Sequence, residues 1–338
     1  MLRLFLILLL LAILSHTSVG QDIHLSQFYA SPMLVNPAHT GYFNGDWRIV
    51  NNMRSQWSAI AEPYNSLVAG FERQFYIYNN NFSGGLLLVS DKAGYLRMLT
   101  NKILLSLSYH RLSLKNNWHF GLQEGYVFRS YNYSSATFPN QFDMSRGNFN
   151  KELPNNETAL DAAVNYPLFN SGIIWNRKIR NLLPQAGIAF FNLNVPHETF
   201  LPRSPANALG LRQCYFAELG IDLAHRITMI PRLYYMRQKK SMEQISGSHL
   251  TLGLAPNKYK FDALFSGLYV RSTFGQQADA AIVVAGLSVA GFDIGINYDV
   301  NISGLREVSN FRGAFEISII YKAASTIFDK YTIPCDRI

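Results

Sequence analysis

The sequence predicts an all-β fold, a transmembrane β-barrel of about 14 antiparallel strands, and three observations support this. Charged residues are only 15% of the 338 residues, against about 25% in an average globular domain. Aromatic residues reach 14% and recur at the ends of predicted strands, where the aromatic girdles of a membrane barrel lie. Apolar and polar residues alternate through segments of about ten residues, the length of a tilted membrane crossing.

The chain opens with a leader. A basic start at Arg3 precedes an apolar stretch at 4–14, which is too short to span a bilayer because a spanning helix needs about 20 residues. Small residues then occupy the −3 and −1 positions of a cleavage site. We expect residues 1–20 to be a cleaved signal peptide rather than an anchor helix, which leaves 338 − 20 = 318 residues from Gln21.

Composition disfavours several kinds of site. The chain has two cysteines, Cys214 and Cys335, too few for a disulfide framework, and we expect them not to pair. Metal-ligand spacings such as CxxC do not occur, so we expect no metal and no cofactor. The basic runs at 177–180 and 237–240 predict solvated turns rather than a nucleic-acid site. After the leader, no apolar run approaches the roughly 18 residues that indicate a transmembrane helix.

The alternation defines the strands. In residues 291–300, Ile294 and Ile296 share one face while Asp293 and Asn297 share the other, because successive side chains of a strand point to opposite faces. The same pattern predicts fourteen strands, at 47–57, 66–76, 82–92, 99–114, 117–131, 169–179, 184–193, 213–224, 228–238, 247–255, 259–271, 279–288, 291–300 and 311–321.

The predicted connections differ in kind. Short turns follow strands 2, 4, 10 and 12, whereas most of the longer, polar connections follow odd-numbered strands. Short periplasmic turns and longer external loops are typical of outer-membrane barrels, and an even number of strands then places both chain ends in the periplasm. A soluble, exported β-sandwich or propeller is the alternative, but it does not explain the shortage of charge.

Several motifs match a known family. They are Gln27, Phe28 and Tyr29; Asn36-Pro37-Ala38 followed by Gly41; Arg48, Arg54, Gln56 and Trp57 along the first strand; Phe315-Glu316-Ile317 in the last strand; and Ile333-Pro334-Cys335 near the end. On these residues, from about 21 to 335, the chain resembles the PorP/SprF family of the type IX secretion and gliding systems of the Bacteroidetes.

The resemblance implies an outer-membrane barrel of fourteen strands without enzymatic activity or a cofactor. It also implies protein partners of two kinds. Some family members join a periplasmic ring with its lipoprotein and a peptidoglycan-binding component. Others help to export a large secreted adhesin, engage its C-terminal domain and hold it on the cell surface. Both roles stay open at this stage.

The N-terminal segment, residues 21–46, precedes the first strand and carries only two formal charges, at Asp22 and Asp46. Its prolines and apolar residues favour a packed segment over a flexible arm, so we expect a plug in the lumen or a docking segment for a periplasmic partner. The candidate residues are Gln27, Phe28, Tyr29, Asn36 and Pro37.

The predicted lumen faces carry charges of both signs, whereas an ion-selective pore tends to show rings of one sign. Closure of the barrel brings strand 1 beside strand 14, so we expect Arg54 or Arg48 to pair with Glu316. Asp299 and Arg312 belong to the same set of expected lumen charge pairs. These pairs predict a barrel that is largely closed at rest.

Two further regions complete the organisation. The connection 132–168 is long, and connections of this length are usually functional or disordered. Its aromatic and basic residues favour a folded cap or a protein-binding surface, with Phe138, Phe142, Arg146 and Phe149 as the candidates. The barrel is expected to span 47–321, followed by a periplasmic tail at 322–338.

The sequence bears on two other functions. Ser108 and His110 share one polar strand face, but no orienting acid or oxyanion donor accompanies them, which disfavours a hydrolase. A transporter of hydrophobic small molecules, similar to the long-chain fatty-acid channels, is the alternative function. The short segment before the barrel argues against it, because a plug-and-hatch domain is expected to be longer.

Overall fold

The computed structural model describes residues 24–324 except for 57–61, 79, 95–96, 132–136, 151, 155–162, 201–207, 256–260, 273–277 and 305. In this part of the chain, fourteen strands close into one antiparallel barrel with the first strand against the last. They are β1 Trp47–Gln56, β2 Tyr64–Ile77, β3 Asn80–Ala93, β4 Met98–Arg111, β5 Asn117–Ser130, β6 Ala163–Asn176, β7 Leu182–Phe191, β8 Arg212–Ala224, β9 Ile227–Gln238, β10 Ser241–Gly253, β11 Phe261–Ser272, β12 Ala278–Val289, β13 Phe292–Asn301 and β14 Arg312–Lys322.

Alternation of side chains gives the barrel two unlike faces. In β1, Val50 and Asn52 are fully buried inside, while Ile49 and Met53 are 44% and 55% exposed on the outer face. The outer face is apolar along the other strands too, and the inner face carries many of the polar side chains. An apolar exterior around a polar interior is the pattern of a barrel whose surroundings are lipid.

All fourteen predicted strands are confirmed, but β6 and β10 each begin six residues before their predicted starts at 169 and 247. Pro167 concealed the start of β6, because proline cannot donate a ladder hydrogen bond. β7 pairs with β6 only from Ser171 onward, so Pro167 lies on an edge that needs no such donor. In β10 the first residues are mostly polar and carry little apolar signal.

The barrel has two different ends. We call the end that bears the connections after even-numbered strands, together with the start of β1 and the end of β14, the turn mouth. The opposite end, with the connections after odd-numbered strands, is the loop mouth; it carries the longest connections, 131–162 and 192–211. The connection 239–240 at the loop mouth is short, a tight turn with Lys239 at φ 52°.

Several expectations concern residues outside the described part of the chain: the signal peptide 1–20, Trp57, Cys335 and the tail beyond residue 324. Cys214 is buried, with its sulfur 3.5 Å from the Tyr234 hydroxyl. Among the described residues, no helix is both long enough and apolar enough to cross a membrane.

The two faces predict how the barrel tolerates charge. Leu105, near the middle of β4, is 62% exposed on the outer face. We expect Leu105→Arg to lower the free energy of unfolding by about 2–4 kcal/mol, because arginine on the lipid face at the bilayer midplane costs that much. The control is Leu114→Arg in the connection 112–116, which should cost about 0–1 kcal/mol. Urea unfolding in lipid vesicles measures both; equal losses would contradict the assigned faces.

Candidate functional site

The N-terminal segment occupies the lumen of the barrel. From His24 it folds as a 3-10 turn at Phe28–Ala30, one helical turn at Pro32–Val35 and a second 3-10 turn at Pro37–His39. Pro32 and Pro37 each stand at the start of a turn, where the missing N–H is not needed. Met33, Ala38 and other residues of the segment are fully buried, so the segment forms the centre of the packed interior.

The segment crosses the lumen from one mouth to the other. His24 Nδ1 lies 3.6 Å from Glu243, at the start of β10 beside the loop mouth. At the other end, the Asp46 N–H donates to the Ala323 carbonyl at 3.1 Å, just past the end of β14 at the turn mouth. The described start of the chain therefore lies toward the loop mouth. The expected positions of the two chain ends concern residues before 24 and after 324, outside the described part of the chain, so that expectation stays a prediction.

Near the loop mouth, Glu316 of β14 holds the segment by its backbone. Its two carboxylate oxygens accept the N–H groups of Ser26 and Gln27 at 2.6 and 3.0 Å. Arg54 of β1 donates to the same carboxylate. Glu316 is fully buried, and a buried carboxylate needs such charged and hydrogen-bonding partners. The strand pairing explains the contact, because Arg54 lies opposite Glu316 in the β1–β14 register.

Asp299 of β13 forms the second acidic centre of this network. It accepts from Arg54 Nη2 at 3.1 Å, from Arg271 Nη1 at 2.9 Å and from Ser26 Oγ at 2.7 Å. The two arginines thus join the two buried carboxylates, Asp299 and Glu316, and Arg271 also pairs with Asp279 at 3.0 Å.

The Gln27 side chain joins the same region through neutral groups. Its Nε2 donates to Asn297 Oδ1 at 2.7 Å, and its Oε1 accepts from Ser318 Oγ at 2.7 Å. Both donor and acceptor of this amide are therefore paired with the barrel wall, which fixes the rotation of the side chain.

Two expected lumen charges lie elsewhere. Arg48 pairs with Glu72 of β2, with Nη2 at 2.7 Å from the carboxylate, rather than with Glu316. Arg312 has the inward parity of β14, but it is exposed because it is the first residue of the strand and lies at the rim of the loop mouth. The expectation that Arg312 fills the lumen therefore does not hold in this structure.

Asn36 joins the middle of the segment to the wall. Its side-chain Nδ2 donates to the carbonyls of Ile173 in β6 and Ile188 in β7, both at 3.1 Å, and its Oδ1 accepts the N–H of Ala38 at 2.9 Å. Ile173 and Ile188 are direct partners in the β6–β7 register. One amide thus links two neighbouring strands and the turn that begins at Pro37.

Glycines in the wall make room for this turn. A Cβ at Gly172 would lie 2.0 Å from Asn36 Oδ1, and a Cβ at Gly121 would lie 2.2 Å from the Ala38 nitrogen. Neither distance is sterically possible without movement. Residues 36–38 therefore pack directly against the backbone of β5 and β6.

A second carboxylate holds the segment near the turn mouth. Glu72 accepts the N–H of Gly41 at 2.6 Å and the Arg48 Nε–H at 2.7 Å. Gln74 Nε2 donates to the carbonyls of Gly41 and Phe43 at 2.8 and 2.6 Å. Gly41 has φ +73°, and a Cβ there would lie 1.9 Å from the Ser83 hydroxyl, so this position requires glycine on both grounds.

The expected aromatic residues of the segment face β9 and β11. The Phe28 ring stacks on Tyr234 with ring centres 5.1 Å apart. The Arg232 guanidinium lies 4.5 Å above the Tyr29 ring, a cation–π arrangement. These contacts fill the side of the lumen opposite the Glu72 anchor with apolar and aromatic groups.

Burial favours the neutral form of three groups of the segment, His39, Tyr29 and Tyr42. Burial, with the Arg48 charge, lowers the pKa of His39 to about 3. Burial, with Tyr269, raises the pKa of Tyr29 above its usual range, and burial, with Glu218, raises that of Tyr42 to about 12. In the unfolded chain His39 has its ordinary pKa of 6.5. Burial of the neutral imidazole therefore contributes fully to the free energy of unfolding above that pH, and the contribution falls as the pH drops toward 3.

Ser108 and His110 lie in a buried polar network with a residue that the sequence did not single out. Ser108 Oγ donates to the Thr40 carbonyl at 2.5 Å and lies 3.1 Å from His110 Nε2. His110 Nδ1 is 2.7 Å from His119 Nδ1, so a histidine, not an acid, orients this ring. In the part of the chain that the structure describes, no group of three or more His, Cys, Asp or Glu side chains could hold a metal.

The expected loop residues form a small hairpin in the connection 131–162. Two-residue strands pair Phe142 with Phe149, whose ring centres are 5.2 Å apart and whose side chains are 42% and 50% exposed. Arg146 in the turn lies 3.7 Å from Asp143, and Phe138 precedes the 3-10 turn Pro139–Gln141. The structure thus places these residues at the loop mouth, apart from the network around Glu316.

The sequence placed Asn297 on the polar face of its strand but did not single out Ser26, Ser318 or the wall glycines Gly121 and Gly172 as contacts of the segment. Only the glycines left a readable signal, since both fall on the inward face of long strands. A glycine at such a position indicates that another backbone approaches closely.

A family described as type IX secretion system membrane protein PorP/SprF matches residues 17–321 of the chain. No curated protein sequence matches it. Among solved structures, the Pseudomonas putida toluene transporter TodX superposes with a TM-score of 0.50 at 9% identity, over 88% of this chain and 93% of that one. The Ralstonia pickettii toluene transporter TbuX gives 0.49 at 8% identity, over 86% and 92%. At such identities the likeness concerns the fold alone.

The Glu316 anchor makes a direct prediction. We expect Glu316→Gln to lower the free energy of unfolding by about 3–5 kcal/mol, because removing one partner leaves buried charges uncompensated. Amide hydrogen exchange at Ser26 and Gln27 should accelerate. The matched control is Glu62→Gln, whose carboxylate lies 3.9 Å from Arg97 at the exposed loop mouth and should contribute at most about 1 kcal/mol. Unchanged exchange at residues 26–27 in Glu316→Gln would contradict the anchor.

Proposed function

Because the chain belongs to the PorP/SprF family of type IX secretion system membrane proteins, we propose that it is a closed outer-membrane scaffold for protein partners of that system. The observation that carries the proposal is the N-terminal segment, which lies across the whole lumen and is held at three levels by Glu316, Asn36 and Glu72. A solute that crosses this barrel would have to pass the segment.

The lumen chemistry supports a structural role. Charges in the interior are paired with each other and with the segment, as in Arg54 with Glu316 and Arg48 with Glu72. An ion pathway tends instead to show rings of one sign. The serine and histidine of the network at Thr40 have their hydrogen bonds committed to structure, which supports a function without catalysis.

We further propose that the loop mouth faces the cell surface and the turn mouth faces the periplasm. Longer loops outside and shorter turns inside are usual for such barrels. A secreted adhesin would then meet the loop mouth, where Phe142 and Phe149 are exposed. A periplasmic lipoprotein or peptidoglycan-binding component would meet the turn mouth, where the N-terminal segment ends at Asp46.

Transport of a hydrophobic small molecule is the second candidate. The barrel resembles TodX in fold at a TM-score of 0.50, and TodX is a toluene transporter. Transport through this lumen requires the N-terminal segment to move out of its position inside the barrel. The two candidates therefore differ in whether residues 24–46 move during function.

Conductance separates a closed scaffold from a channel. In planar bilayers we expect the purified barrel to show no steady current. Gly172→Val should produce openings, because its side chain would occupy the position of the Asn36 amide oxygen. Gly84→Val in β3, where a Cβ would lie 3.6 Å from the Phe75 ring and meet no closer atom, controls for the substitution itself. Steady conduction by the unaltered barrel would favour the transporter.

Partner capture tests the scaffold directly. With a C-terminal tag and gentle extraction from the outer membrane, we expect a secreted adhesin or a periplasmic lipoprotein to co-purify, identified by mass spectrometry. Deletion of residues 136–156 should remove the surface partner and leave barrel insertion intact, because those residues lie between strands. A barrel that purifies alone would favour the transporter, and loss of insertion would make the connection structural.

A further inference from the structure

The outer face of the barrel carries an apolar groove. It has a volume of about 470 Å³ and crosses the wall from β3 to β7. Its large lining side chains belong to the outward set of their strands, including Leu107, Phe120, Leu122 and Ile188, all 40% or more exposed. The groove therefore faces the hydrocarbon of the bilayer and not the lumen.

A small residue among large ones creates the groove. In one row across the sheet, the outward residues are Leu107 of β4, Leu122 of β5, Ser171 of β6 and Phe190 of β7. Ser171 is the smallest side chain of this row. Behind it, Gly121 and Gly172 also line the groove, and neither has a side chain to thicken the wall.

Residues 36–38 pack against the inner face of the same wall. Asn36 donates to the carbonyls of Ile173 and Ile188, and both of these residues line the groove outside. Here the wall is one backbone thick between the N-terminal segment and the membrane. An empty apolar groove would deprive its lining of dispersion contacts on one side, so an apolar occupant is favoured at this point.

We propose that the groove is a binding site for one acyl chain of an outer-membrane phospholipid. From β3 to β7 the groove crosses four strand spacings of about 4.8 Å, roughly 19 Å in all. Because the strands of such barrels tilt by about 35–45°, this path rises roughly 11–13 Å along the bilayer normal, within the roughly 15 Å of one leaflet, so the groove can hold a stretch of one acyl chain. Its lining is almost entirely apolar, and the acyl chain, not the headgroup, is the recognised element.

Native mass spectrometry of the purified barrel tests the site, with palmitoyl-oleoyl phosphatidylethanolamine as the added lipid. We expect the unaltered barrel to retain one lipid, and Ser171→Phe to lose it with an affinity reduced at least tenfold, because the ring would occupy the groove. Ala285→Phe is the matched control: Ala285 is exposed on the outer face of β12, across the barrel, and its variant should retain the lipid.

Three outcomes overturn the proposal: retention by Ser171→Phe equal to that of the unaltered barrel, equal loss in Ala285→Phe, or retention that depends on the headgroup when phosphatidylglycerol with the same chains is substituted. Circular dichroism confirms that each variant is folded. Should Ser171→Phe fail to insert, Ser171→Val adds less volume at the same position and must also weaken retention.

Discussion

Two consecutive backbone N–H groups, those of Ser26 and Gln27, require an acceptor inside the barrel, and Glu316 supplies it with both oxygens. Leaving a buried donor unsatisfied costs about 1–3 kcal/mol, so the path of the segment near the loop mouth is tied to this carboxylate. The carboxylate in turn requires Arg54, and Arg54 also contacts Asp299. Each member of the chain of contacts is buried, so each depends on the presence of the next.

The arrangement explains why the N-terminal segment is almost free of charge. From His24 to Gly45 it contains no Asp, Glu, Lys or Arg, and it engages the wall through backbone N–H groups, hydroxyls and amides. The wall supplies the charges and pairs them with each other, Arg54 and Arg271 with Asp299, Glu316 and Asp279. A charged residue in the segment would need a further buried partner, whereas a neutral segment fits a network whose charges are already paired within the wall.

Much of the fold was predictable because each strand of a membrane barrel alternates apolar, lipid-facing residues with polar, lumen-facing ones, and this period of two is visible in the sequence. The contact between Arg54 and Glu316 also followed from sequence, since closure places β1 beside β14. The path of the segment did not follow, because it depends on contacts between Ser26 and strands almost 300 positions away, which no local pattern reveals. From sequence, Gly121 and Gly172 only weaken their strands, and their role is clear only when the turn at Asn36 is seen to pack against them. The start of β6 was not predicted because proline cannot donate a ladder hydrogen bond, and only the sheet pairing shows that no donor is needed at Pro167.

The position of Ser26 also sets an order of events during assembly. Its anchor, Glu316, lies 290 positions later in the chain, on the last strand of the barrel, and contacts of such separation form late because a long loop must close first. The N–H groups of Ser26 and Gln27 therefore gain their acceptor, Glu316, only after the last strand has formed. Closure of the barrel wall and filling of its lumen therefore become one cooperative step, because the N-terminal segment gains its anchor only when the last strand joins the sheet.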